Sequence, residues 1–117
     1  MEISFNQIDE VTVVKINSQE LNHVVSHDFQ RQIAPLFDEK KFNIALDMSS
    51  VDFMDSMGIG TLITLRNKLM KEKGCIAMFN ITDRVKKIID IAALHKIFEL
   101  YGTEEDAVEG LKQQMLA

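Results

Sequence analysis

The most constraining stretch of this chain is a junction. An apolar run, Ile44-Ala45-Leu46-Asp47-Met48, passes through a short polar turn into a long amphipathic pattern that ends near Lys73. Ile44, Ala45 and Leu46 are consecutive apolar residues, the mark of a strand covered on both faces. The pattern beyond the turn repeats at helical spacing. Ile59, Leu62, Ile63, Leu69 and Met70 form its expected apolar stripe, with Leu65 at the edge. Thr61, Thr64, Asn67, Lys68 and Lys71 are expected on the other side. Lys71 and Lys73 suit the negative end of the helix dipole, and Gly74 is the expected stop. Another continuously apolar strand, Cys75 to Phe79, follows, so the unit reads strand–helix–strand and should be parallel and right-handed.

The mouth of that helix carries Asp55 and Ser56, with Gly58 and Gly60 just inside. The first N–H groups of a helix lack intrahelical partners, and a serine oxygen there accepts from them. The dipole places partial positive charge at that end, so a phosphate on Ser56 would be tolerated. Each glycine costs roughly 1 kcal/mol against alanine in a helix interior. Two of them beside an exposed serine suggest close approach by another backbone or by a partner. An ordinary serine cap with small residues for strand–helix packing accounts for the same residues.

The rest of the chain extends this unit. Residues 3–8 and 11–16 alternate as two short strands, and Asp9-Glu10 between them predicts an antiparallel hairpin. After a polar connection, Ser26 is a candidate N-cap, with Val25, Phe29, Ile33, Leu36 and Phe37 at helical spacing. Pro35 predicts a kink or an early end. The loop 49–56 holds three apolar residues, Val51, Phe53 and Met54, expected to pack beneath it or to face a partner. Thr82 or Asp83 should cap a third helix with Val85, Ile88, Ile89 and Ala92 inward. Ile97 to Leu100 reads as a fifth strand, and Thr103 with Asp106 as the capping box of a last helix carrying Ala107, Val108, Leu111 and Met115. The expectation is an α/β fold: a mixed sheet of about five strands, the first two a hairpin, with about four helices against it. The chain of 117 residues, without a linker or repeat, reads as a single domain over 1–117. Function in such sheets gathers beyond the carboxyl ends of the parallel strands, where the 49–56 loop leaves.

Several chemistries are excluded or weak. A net charge of -5 argues against a nucleic-acid binder. No apolar run approaches the ~20 residues of a membrane span, and the N-terminus lacks a signal pattern, so a cytoplasmic protein is expected. The single cysteine, Cys75, makes neither a disulfide nor a cysteine-rich zinc site and reads as a small core residue. His23 and His27, four apart, lack a clear third ligand, so no metal is expected. Gly58-Ile59-Gly60 has neither the third glycine of a dinucleotide fingerprint nor the Gly-Lys-Ser/Thr of a phosphate-binding loop. Ser56 lacks the G-x-S-x-G context of a hydrolase nucleophile, and the adjacent Asp55 is badly placed to act as its base. No enzyme activity and no cofactor are expected.

The stretch Phe53-Met54-Asp55-Ser56-Met57-Gly58-Ile59-Gly60-Thr61-Leu62 resembles the signature of the STAS family, the anti-sigma factor antagonists and their relatives. The similarity in length and element order runs from about Ile3 to Leu116. It implies a bacterial protein-binding switch. The unphosphorylated form would bind an anti-sigma factor that is also a serine kinase and so release a sigma factor for transcription. The kinase would phosphorylate the motif serine, here Ser56, and a metal-dependent serine/threonine phosphatase would restore it. The residues the resemblance places at the partner surface are Asn22, His23, Asp55, Ser56, Met57, Gly58, Ile59 and Gly60. Two stretches depart from the family pattern: Met57 stands where a second serine is frequent, and Gln19-Glu20-Leu21-Asn22 replaces Gly-x-Leu-Asp. The other job open to the same fold is a constitutive adaptor in a signalling or transport complex. A monomer or weak dimer is expected.

Overall fold

The structure, a computed structural model, describes residues 2–116. Strands β1 (Glu2–Ile8) and β2 (Val11–Asn17) form an antiparallel hairpin in which Ile3 faces Ile16 and Ile8 faces Val11. Asp9 turns the chain with a positive φ of 53°, a conformation that a short polar side chain tolerates. Then come β3 (Glu20–Leu21), α1 (Ser26–Asp38), β4 (Asn43–Asp47), β5 (Phe53–Met54), α2 (Ser56–Lys71), β6 (Cys75–Phe79), α3 (Asp83–Ile91), a short 3-10 turn at Leu94–Lys96, β7 (Glu99–Tyr101) and α4 (Glu104–Leu116). The main sheet has five strands in the order β1-β2-β4-β6-β7, with β2, β4, β6 and β7 parallel. The expected mixed sheet and four helices are therefore present.

Strand periodicity sorts the core into two layers. Val14, Ile16, Ile44, Leu46, Ile76 and Met78 face one side, under the apolar faces of α1, α2 and α3. Val11, Val13, Ala45, Ala77 and Phe79 face the other, under Ala107, Val108 and Leu111 of α4. Each large side chain fully buried this way contributes roughly 1.5–3 kcal/mol. The run Ile44-Ala45-Leu46 is thus buried on both faces, as its composition predicts.

Local details correct several expectations. Ser26 is not the N-cap. It is the buried first residue of α1, its Oγ donating to the Asn22 carbonyl at 2.7 Å, and Val25 precedes it without a side-chain cap. Pro35 does not end α1 at once; the helix continues to Asp38. The proline lies on the exposed side of the helix. The stripe of α2 is rotated: Thr61, Leu62, Leu65 and Leu69 are buried, Ile59 and Ile63 are half-buried, and Met70 is exposed. Buried Thr61 is tolerated because its Oγ1 donates to the Met57 carbonyl at 2.9 Å. Gly74 is not the left-handed residue that ends α2. Lys73 is, with φ 60°, while Gly74 N–H donates to the Leu69 carbonyl at 2.8 Å. A β-carbon on Gly74 would lie 2.0 Å from the Phe42 carbonyl oxygen, which explains why the glycine stands one place later. Thr82 caps α3 through the Val85 N–H, but Ala92 is exposed beyond its end. The last strand is shifted to Glu99–Tyr101 because the 3-10 turn occupies the residues before it.

Candidate functional site

Two loops meet beyond the carboxyl ends of β2 and β4. One leads through β3 into α1, and the other through β5 into α2. Both loops contain a two-residue strand, and these pair in parallel, Glu20 with Phe53 and Leu21 with Met54. The Gln19 carbonyl accepts from Asp52 N–H at 2.7 Å and from Phe53 N–H at 3.2 Å, and the Leu21 carbonyl accepts from Asp55 N–H at 3.3 Å. Leu21 and Met54 are buried on the inner side of this small clasp, while Glu20 and Phe53 point outward. Val51 is fully buried, and its carbonyl accepts from the Thr82 hydroxyl at 3.1 Å, tying the loop to the start of α3.

Asp55, rather than Ser56, is the N-cap of α2. Its backbone is extended and its Oδ1 accepts from Gly58 N–H at 2.9 Å. Its Oδ2 accepts from His23 N–H at 2.9 Å and lies 3.1 Å from His23 Nδ1. Three donors on one carboxylate, Gly58 N–H first among them, hold it well below the usual range, at about 2. The folded value is below the ordinary 3.8, so the resulting stabilisation is fully present above pH 3.8 and is lost as the pH falls through about 2. The Asp55 carboxyl is expected to titrate near 2 by carbon-detected NMR. Asp55→Asn should remove that part of the acid limb of the stability curve. A midpoint near the ordinary value would mean that the cap is not formed in solution.

A carboxylate engaged in this way is a weak base, and neither oxygen is directed to Ser56 by a hydrogen bond. Ser56 is the first helical residue and is exposed, and its hydroxyl makes no hydrogen bond among the described residues. Gly58 is buried directly beneath the clasp: a β-carbon there would lie 1.8 Å from the Leu21 carbonyl oxygen. The predicted close approach of a second backbone is therefore present at Gly58. At Gly60 there is open space instead.

Asn22 organises the first loop. Its Oδ1 accepts from Val24 N–H at 3.0 Å and from Val25 N–H at 3.3 Å, and its Nδ2 donates to Glu20 at 3.0 Å. An aspartate here would keep the acceptor but lose the donor and repel Glu20. The amide at position 22 thus matches the glutamate two residues before it.

The structure therefore brings Asn22, His23, Asp55 and Ser56 together at one end of α2. Met57 and Gly60 are exposed, Ile59 is half-buried and Gly58 is buried. Two further exposed apolar residues belong to this end: Val24, 71% exposed, and Phe53, 47% exposed, beside Met57 at 57%. Period-two alternation was the available signal for Phe53, since burying Met54 turns its neighbour outward. Among the described residues, no group of three or more His, Cys, Asp or Glu side chains is placed to hold a metal. Cys75 is half-buried, its thiol donating a hydrogen bond to Asn43 Oδ1 at 3.2 Å, and burial pushes the pKa of that thiol up.

A family model described as the STAS domain matches residues 2–107. The anti-sigma F factor antagonist of Paenibacillus polymyxa is 30% identical over 104 residues, spanning 87% of this chain and 87% of that one. The crystal structure of an anti-sigma factor antagonist from Mycobacterium paratuberculosis matches with a TM-score of 0.83 at 26% identity, over 95% of this chain and 93% of that one. SpoIIAA, an anti-sigma factor antagonist, shares the fold in its unphosphorylated form, with a TM-score of 0.70 at 18% identity over 95% and 98% of the two chains. The phosphorylated form of SpoIIAA, a Bacillus cell fate determinant, gives 0.68 at 20% identity over 92% and 97%.

Proposed function

This chain belongs to the STAS domain family, and from that membership we propose that it is an anti-sigma factor antagonist switched by phosphate on Ser56. The observation that carries the reading is Ser56 itself, a free hydroxyl on the first turn of α2 beside an ionised Asp55. Unphosphorylated, the end of α2 docks on an anti-sigma factor that is also a serine kinase, which then releases its sigma factor. Ser56, Met57, Gly60, Val24 and Phe53 present the surface. Asn22, His23, Asp55 and Gly58 hold it in shape, and half-buried Ile59 supports it. The kinase moves the γ-phosphoryl group of ATP to the Ser56 oxygen and leaves ADP; a serine/threonine phosphatase hydrolyses the ester to inorganic phosphate.

The switch needs no refolding. Phosphate adds about -1.5 to -2 charges at neutral pH. It would stand next to the Asp55 carboxylate and inside an interface with apolar members, so repulsion and desolvation oppose docking. The helix end tolerates the charge, and the Ser56 hydroxyl is not part of the fold's hydrogen bonding. That SpoIIAA has this fold both with and without phosphate supports a block at the surface. The functional unit in this reading is the one domain 1–117, acting in the cytoplasm as a monomer or weak dimer. No helix among the described residues is long and apolar enough to cross a membrane.

The test begins with capture of partners on the wild-type protein from cells of its source. The captured kinase, made recombinantly, is then incubated with the protein and ATP. Mass spectrometry should find phosphate on the Ser56 peptide and none on Ser56→Ala. A stable partner that never modifies Ser56 would favour the constitutive adaptor instead.

A further inference from the structure

Beside the end of α2 lies a groove of about 830 Å³ between the two loops and α3. Val24, Phe53 and Ile88 supply its apolar lining, Glu20 and Asp52 are acidic members, and Arg84 and Lys87 come from α3. On α3, Arg84, Lys87, Ile88 and Ile91 recur at i, i+3, i+4 and i+7, so they share one face. Ile91 is 88% exposed, an apolar extension of that face. The neighbouring Lys86 is paired with Asp90 at 2.9 Å, but Arg84 and Lys87 make no ion pair among the described residues. We propose that the docking surface continues from Ser56 across this groove to α3, and that the partner protein seats there an apolar segment flanked by carboxylates that meet Arg84 and Lys87. This extension rests on the partner-binding reading of Ser56.

Charge selects the occupant. The whole chain carries -5, so an acidic segment is repelled by most of the molecule and attracted only where cations stand free. Complementary charge of this kind fixes register and speeds encounter. A nucleic acid fits poorly: two cations sharing the groove with Glu20 and Asp52 do not make the basic stripe that a phosphate backbone requires. The apolar lining and the exposed Ile91 suit a protein helix laid in a groove, with anchors at helical spacing.

The test uses the full chain and two designed helical peptides. Both carry leucines at i, i+3, i+4 and i+7; one flank bears glutamates in the first and lysines in the second. In amide NMR titrations, the glutamate peptide should shift Val24, Phe53, Arg84, Lys87 and Ile88, and bind about five-fold or more tightly than the lysine peptide. The double variant Arg84→Glu, Lys87→Glu should lose about ten-fold in affinity for it and reverse the preference. Lys71→Glu with Lys73→Glu should leave both unchanged. Shifts centred elsewhere, or equal binding of the two peptides, would overturn the groove. The recombinant kinase then separates the two readings. If Ser56→Asp weakens its binding and the α3 double variant does not, the groove is wrong and the Ser56 switch stands. The opposite pattern removes the switch and keeps the groove.

Discussion

Ser56→Asp is expected to weaken binding of the anti-sigma factor about a hundredfold, close to 3 kcal/mol. The substitution places a second carboxylate next to Asp55, whose own carboxyl is held well below the usual range by the Gly58 and His23 donors and so is ionised at neutral pH. In the free protein this charge sits in high dielectric at the positive end of α2, where acidic residues are favoured. In the proposed complex the same charge would be withdrawn from water near exposed apolar side chains such as Met57. The penalty therefore falls on the bound state alone. Titration calorimetry with the purified partner measures the loss, and thermal unfolding of the variant should show a fold at least as stable as wild type. Ser56→Ala should bind within a few-fold of wild type, because it changes neither charge nor shape appreciably. Equal affinities for the aspartate and alanine variants would remove the electrostatic switch.

The second large effect belongs to a buried residue, Gly58. Gly58→Ala is expected to destabilise the fold by about 2 kcal/mol net. Overpacking of a tight contact costs about 3 kcal/mol, of which helix propensity returns about 1. The new β-carbon would meet the Leu21 carbonyl oxygen at 1.8 Å and its carbon at 2.7 Å. Leu21 cannot retreat easily: its side chain is fully buried, it pairs with Met54, and its carbonyl receives the Asp55 N–H. Gly60→Ala, the same change two residues on, meets open space and should stabilise by up to about 1 kcal/mol. Urea unfolding of the two variants should thus differ by roughly 3 kcal/mol in opposite directions about wild type. Similar values would mean that the loops do not close on α2 as described.

The parts of the fold that were legible in the sequence are those governed by local pattern. The hairpin, the strands at Ile44 and Ile76, and the helices were readable because alternation, helical spacing and caps are written in neighbouring residues. Asp55, Ser56 and Gly58 were visible as a unusual turn for the same reason. What was hidden depends on residues far apart. The β3–β5 pairing joins two short segments across the α1–β4 excursion, and two residues carry no periodicity. The capping role passed from Ser56 to Asp55 because His23 N–H and its ring meet the same carboxylate, a contact across 32 positions. The α2 stripe was misplaced toward Met70 because the pattern gives a face's period better than its absolute direction. Thr61 satisfies its hydroxyl within its own helix and so is buried where polarity predicts exposure. Arg84 carries no local signal, because the groove it lines takes its other wall from β3 and β5.

The clasp of β3 on β5 also bears on the kinetics of encounter. Flexible recognition loops must be ordered as they bind, and each immobilised side chain subtracts about 0.5–1.5 kcal/mol from the interaction. Here the two loops are already joined by backbone hydrogen bonds, by the Asp55 carboxylate and by Gly58 lying under Leu21. Their ordering is completed when the chain folds. Association then resembles the meeting of two preformed bodies, limited by orientation and by charge rather than by loop closure. A phosphate added to Ser56 would therefore meet a surface whose shape is set by these backbone bonds before any partner arrives.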